Sequence, residues 1–264
     1  MCLIALSWRS HPRYPLALIA NRDESHARAA AAAGPDPEAP DVYGGRDLVQ
    51  GGGWLMVSTR GRLAAVTNVR AGLAADAAPR SRGALVRGFV RGSVSAQATL
   101  ATVREQAPDY GRFNLVLWDG ESLAFASNYP QYAEHPIAPG MHAMSNGAFD
   151  AQWPKSGHAT RALSNWLASP ASERDSPDAE ALRPLFAALA DTTPAPDAEL
   201  PDTGVGLELE RVLSPPFVRG ERYGTRCSTI VLVGADSIVF VERRYGPDAA
   251  PGGETATVLP LRRP

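Results

Sequence analysis

The chain has 264 residues, a hydrophobic content of 44% and a formal net charge of −2. Those values exclude a disordered chain and leave no basic footprint for nucleic acid. Only Cys2 and Cys227 are present, without CxxC or CxxH spacing, so a disulfide framework and a zinc site are excluded too.

Two apolar runs, residues 2–8 and 14–21, flank the turn-forming Ser10-His11-Pro12-Arg13 and read as a hairpin that brings Cys2 near residues 21–24. Residues 29–40, rich in Ala, Pro, Gly and Asp, read as a loop. A second hairpin is expected over 54–59 and 63–68, turning at Arg60-Gly61-Arg62. Ser81 is placed to cap a helix over 82–91, and another is expected over 95–106. Strands follow at 113–118 and 122–127 around Asp119-Gly120, then helices at 155–167 and 178–189. Residues 192–203 read as a surface excursion, and strands at 216–218, 228–233 and 237–243 end the chain.

Strands in groups, with helices in the middle and strands again at the end, argue against a doubly wound fold and for antiparallel sheets covered by helices. With no internal repeat and no strong boundary, residues 1–264 read as a single domain. The apolar start breaks at Ser7-Trp8-Arg9, unlike a secretory signal, and no run approaches the ~18–20 residues of a membrane span. Sparse cysteine makes a reducing cytoplasm the expected location.

Cys2 is the first candidate for chemistry. Removal of Met1 leaves a cysteine whose thiol (reference pKa ~8.5) and α-amine (~7.7–8.0) both titrate near neutrality, as nucleophile and base. Against this stands the ordinary reading of a lone strand cysteine as packing. Asn21-Arg22-Asp23-Glu24 ends the strand beside it: Arg22 can hold a thiolate and Asp23 can tune the amine, or the four can be a solvated strand end. Asn68 and Asn146 can each support an oxyanion or simply make a turn. Arg226, in Tyr223-Gly224-Thr225-Arg226-Cys227, either pairs or faces a pocket. Cys227 reads as packing, and Ser228 and Thr229 as bonded to the backbone. Of the 26 basic residues Lys155 is the only lysine. The five histidines are scattered without HExxH spacing, so no metal site is expected, although one of them or Cys2 can ligate haem iron.

Met1-Cys2, Asn21-Arg22-Asp23-Glu24, Gly52-Gly53-Trp54-Leu55, Thr67-Asn68-Val69-Arg70, Ser81-Arg82-Gly83, Phe113-Asn114-Leu115, Ser145-Asn146, Trp153-Pro154-Lys155 and Gly224-Thr225-Arg226 occur in this order over essentially the whole chain. In that order they resemble the NRDE family, also called the transport and Golgi organisation protein two family. The family is in turn distantly similar to choloylglycine hydrolases and penicillin V acylases. That likeness implies an α+β, four-layer αββα N-terminal-nucleophile hydrolase-like fold with two stacked antiparallel sheets. It implies Cys2 as nucleophile, Asn68 and Asn146 at the oxyanion, and Arg22, Asp23 and Arg226 around the thiol and amine. Arg22 and Asp23 are adjacent here and spaced apart in the hydrolases.

The expected activity is amide hydrolysis or acyl transfer on a small-molecule amide or thioester, with no cofactor required. The other expectation is a haem-trafficking or acyl-CoA/lipid-binding protein using the same pocket, with haem or a haem-like ligand as its cargo. Neither reading involves nucleic acid or a membrane span.

Overall fold

The computed structural model describes residues 2–73, 78–174 and 177–262. In chain order its elements are β1 (Cys2–Trp8), β2 (Leu16–Ser25), β3 (Ala30–Asp36), β4 (Ala39–Asp47), β5 (Gly53–Ser58), β6 (Arg62–Asn68), α1 (Arg82–Arg91), α2 (Ala96–Gln106), β7 (Phe113–Trp118), β8 (Leu123–Ser127) and β9 (Ala133–Pro136). There follow β10 (Gly140–Met144), α3 (Pro154–Leu167), α4 (Ala179–Leu189), α5 (Leu207–Val212), β11 (Tyr223–Val233), β12 (Ser237–Tyr245) and β13 (Pro251–Pro260). The chain divides into two units, Met1–Ala27 with Arg70–Leu73 and Pro139–Leu259, and Arg28–Val69 with Ala74–Ala138 and Pro260–Pro264.

The first unit is a six-stranded sheet in the order β10-β1-β2-β11-β12-β13. Its hairpin forms because β1 and β2 are both apolar and the turn satisfies itself: Ser10 Oγ donates to the Trp8 carbonyl, and His11 Nδ1 accepts from the Arg13 and Tyr14 amides. Side chains alternate across a strand, so one face collects Leu3, Ala5, Ala17, Ile19, Ile230, Leu232, Val239 and Val241. Those residues pack on Ala159, Leu163 and Trp166 of α3 and Leu182, Leu185, Phe186 and Leu189 of α4. Each large side chain so buried contributes roughly 1.5–3 kcal/mol. The alternation turns Cys2, next to Leu3, to the opposite face.

The second unit is a seven-stranded meander in the order β3-β4-β5-β6-β7-β8-β9, every neighbour antiparallel. Val42, Met56, Ala64, Val66, Leu115, Leu117 and Ala124 of its sheet pack on Val86, Phe89 and Val90 of α1 and Leu100 and Val103 of α2. Ser81 caps α1 as expected, accepting from the Gly83 amide, and Ser95, expected as the first residue of the second helix, instead caps α2 by accepting from the Ala98 amide.

The chain is α+β with two antiparallel sheets, each carrying helices on one face, as the order of its segments implies. Three expectations need correcting. Residues 29–40 are not a loop: β3 pairs with β4, and Ala33 and Asp36 are buried. Residues 216–218 are not a strand; their apolar side chains reflect burial alone, with the Phe217 amide donating to the Asp191 carbonyl and the Val218 amide to Thr225 Oγ1. Strand β13 was not expected at all, because its side chains are mostly exposed and show no apolar alternation.

Candidate active site

The site is built at one end of β2. Cys2 of β1 stands directly opposite Arg22, and on the far side of β2 Cys227 of β11 stands opposite the same arginine. Directly paired residues share a face, so Cys2, Arg22 and Cys227 form a row across three strands. Thr225 pairs with Asp23, and the register slips between Thr225 and Cys227. Arg226 is the extra residue of that bulge, a device that re-aims a side chain. Its guanidinium donates to the carbonyls of Ser25, at 2.8 Å, and His26, at 3.4 Å.

Asn146 follows β10, the strand on the other side of β1. It is fully buried, and its carbonyl accepts from the Arg70 amide at 2.8 Å. The neighbouring Ser145 hydroxyl donates to the Cys2 carbonyl at 2.9 Å, which ties this loop to the start of β1. Asp150 closes the loop, accepting from the Ala143 amide at 2.8 Å and meeting His142 Nδ1 at 2.7 Å. Gly147 is required because a side chain there would collide with the Trp153 ring.

Five of the six expected site residues, Cys2, Arg22, Asp23, Asn146 and Arg226, thus lie in the six-stranded unit. Asn68 ends β6 opposite Phe113 in the seven-stranded sheet of the other unit. Asn21 is structural: its Nδ2 donates to the Leu189 and Pro216 carbonyls, at 2.7 and 2.8 Å. Ser228 is not bonded to the backbone through its hydroxyl as expected but donates to Asn21 Oδ1 at 2.6 Å. Cys227 is buried, and burial together with the nearby Glu242 pushes its thiol well up.

The electrostatics around Cys2 are dominated by burial. Burial pushes the Cys2 thiol up, the Asp23 charge adds to this, and Arg22 and the Asp23 amide, which donates to the sulfur, pull it back. Burial likewise pushes the Asp23 carboxyl up against the pull of Lys155, Thr225 and Arg22. The Thr225 hydroxyl donates to Asp23 Oδ1 at 2.7 Å, and Tyr223 donates to the Asp23 carbonyl at 3.1 Å. Lys155 is only 3% exposed, and burial lowers its ammonium to about 8 despite the attraction of Asp23 and Cys2. Desolvation, then the neighbouring charge of Arg22, lowers Arg226.

Reasoning from sequence missed Lys155, Thr225, Tyr223 and Ser145 as parts of the site. One signal could have found the first: a single lysine among 26 basic residues, at the head of a helix. Among the described residues no group of three His, Cys, Asp or Glu side chains could hold a metal ion.

The family model described as Transport and Golgi organisation 2 matches residues 1–247. A Transport and Golgi organization protein 2 homolog from Bos taurus is 32% identical over 92% of this chain and 92% of its own length. The Homo sapiens homolog is 31% identical with the same two coverages. Among solved structures, a Caenorhabditis elegans N-acylethanolamine-hydrolyzing acid amidase ortholog aligns with a TM-score of 0.48 and 8% identity, over 88% of this chain and 92% of that one. A mutant conjugated bile acid hydrolase from Clostridium perfringens aligns with a TM-score of 0.45 and 9% identity, over 100% and 97%.

Proposed function

This chain belongs to the Transport and Golgi organisation 2 family, and we propose that it is an N-terminal-nucleophile cysteine hydrolase or acyl-transfer enzyme acting on a small-molecule amide or thioester. The observation that carries this reading is the pairing of Cys2 with Arg22 at the strand end, with the Asp23 amide on its sulfur.

Because burial pushes the thiol up, a thiolate does not stand ready and a base has to take the proton. Once Met1 is removed, the α-amine of Cys2 itself is in place to do so. The thiolate adds to the substrate carbonyl, and the Asn146 amide donates to the oxyanion. Collapse breaks the acyl C–N or C–S bond, the leaving group takes the proton back from the ammonium, and a thioester on Cys2 remains. Water or an acceptor then releases the acyl group and restores the thiol. Arg22 balances the thiolate, and Asp23 and Arg226 orient the amine and the strand end.

Intact mass and a panel of N-acyl amides and thioesters test this. Expected are loss of Met1 and a fall of at least ~10³-fold in kcat for Cys2→Ala, the scale seen when a covalent nucleophile is deleted. A retained Met1, or undiminished turnover by Cys2→Ala, would overturn it. Haem or acyl-CoA bound equally by wild type and Cys2→Ala, with no turnover by either, would replace catalysis with carriage.

A further inference from the structure

The chain leaves β10 at Met144, turns back through residues 145–149 and meets β10 again at Asp150. β10 lies at the edge of its sheet, with β1 as its neighbour. On the outer side of that edge the Ala143 amide donates to Asp150 Oδ1 at 2.8 Å, and the Asp150 amide donates to the Ala143 carbonyl at 2.9 Å. An edge strand otherwise leaves such groups to solvent. One residue here stands in for a neighbouring strand. Its second carboxylate oxygen meets His142 Nδ1 at 2.7 Å, and the His142 ring stacks on Phe149 with centroids 5.5 Å apart.

Asp150 makes these bonds at a φ of +56°, the left-handed region that side chains other than glycine seldom enter. Glycine takes that backbone without strain but brings no carboxylate. Half-exposed ion pairs contribute little stability, so what the strained turn secures is geometry. The closed loop carries Asn146. Met144 stands opposite Ile4, and continuing that register by two residues brings the chain at Asn146 alongside Cys2. The loop is tied on this side as well: Ser145 Oγ donates to the Cys2 carbonyl at 2.9 Å and lies 3.5 Å from Asn146 Oδ1, the end of the amide that accepts.

We propose that Asp150 is a positioning residue for the oxyanion donor: by closing residues 145–149 onto Ala143 and His142 it fixes Asn146 beside Cys2. The proposal rests on the hydrolase reading for the role of Asn146, but the closure itself does not.

The Arg70 amide donates to the Asn146 carbonyl, so its hydrogen exchange follows the loop without any substrate. Asp150→Ala is expected to speed that exchange about ten-fold or more, while the Ile19 amide in the middle of β2 keeps its wild-type rate. In turnover of an N-acyl amide or thioester that the wild type accepts, Asp150→Ala is expected to lower kcat roughly 10- to 100-fold with KM within about two-fold, the pattern of a misplaced transition-state contact. In an Asn146→Ala background the same change is expected to cost less than about two-fold more, because residues that act as a unit are not additive. Where Asp150→Ala does not fold, His142→Phe withdraws one bond from the same carboxylate and is expected to show the same pattern at about three-fold or more. Unchanged Arg70 exchange, an unchanged kcat, or an equal loss with and without Asn146 overturns the proposal. A wild type that turns over nothing while the variant still frees the Arg70 amide retires the hydrolase reading and leaves the loop closure standing.

Discussion

Two aspartates, Asp23 and Asp36, are 2% and 1% exposed in different sheets, and their surroundings drive their carboxyls in opposite directions. Asp36, at the end of β3, receives Arg87 Nε at 2.5 Å, Arg87 Nη2 at 2.9 Å and the Glu38 amide at 2.9 Å. Those bonds, the guanidinium first, hold it down to about 2. Asp23 has the Thr225 hydroxyl at 2.7 Å and the charges of Lys155 and Arg22, and burial outweighs them all. A fork-shaped guanidinium commits a carboxylate to structure. A hydroxyl and an amine leave it able to take up and release protons, the property expected of a group at a reaction centre.

The largest effect expected from this contrast is on stability. Asp36→Asn strips Arg87 of its buried counter-charge and should cost about 3 kcal/mol. Asp23→Asn replaces a buried charge with an amide that still accepts from Thr225, and should cost less than about 1 kcal/mol. Urea unfolding at neutral pH measures both, and equal losses would erase the distinction. The pH dependence carries the same signs. The folded-state pKa of Asp36 is depressed, so its contribution is complete above the ordinary carboxyl value of 3.8 and is lost as pH falls towards about 2. That of Asp23 is raised, so its contribution is complete below 3.8 and is lost as pH climbs through the folded value. Asp36→Asn should therefore flatten the acid limb of the stability curve, and Asp23→Asn should not.

Thr225→Val cuts deeper than the loss of one hydrogen bond suggests. The hydroxyl donates to Asp23 at 2.7 Å and accepts from the buried Val218 amide at 2.9 Å. Removing it strands that amide and should cost about 2 kcal/mol, by the usual penalty for an unmade buried hydrogen bond. It also raises Asp23 further, moving the acid limb of turnover upwards. Thr225→Ser should keep both properties near wild type. A Thr225→Val protein with the wild-type acid limb would show that the hydroxyl does not tune this carboxyl.

What could be read from the sequence follows the same division. The apolar runs 2–8 and 14–21 around the turn-forming residues 10–13 were enough to bring Cys2 beside residues 21–24, and the structure sets it opposite Arg22. The cap Ser81 was legible because capping is local. Strand β3 was hidden by an Ala- and Pro-rich composition that signals loop; pairing with β4 and the Asp36–Arg87 bridge hold it in the sheet. The Arg226 bulge depends on a register slip against β2. Lys155 was visible as a rarity, but the pull of its charge on Asp23 acts between α3 and β2, more than a hundred residues apart in the chain. No local pattern encodes that distance.

The smallest expected effect is that of Tyr223→Phe. Its hydroxyl donates at 3.1 Å to the main-chain carbonyl of Asp23, not to the carboxylate. Burial pushes the phenol's own ionisation up, so it remains a neutral donor throughout the neutral range. Deleting the hydroxyl should cost about 1 kcal/mol or less, the net worth of one neutral hydrogen bond. The acid limb of turnover should stay where wild type has it, because a bond to the backbone does not discriminate between the two forms of the carboxyl. Thr225→Val and Tyr223→Phe thus remove one hydroxyl each from the same aspartate with different consequences. A shift of the acid limb in Tyr223→Phe as large as that in Thr225→Val would mean that Asp23 responds to any loosening of the strand end, and the special part assigned to its side-chain partners would fall.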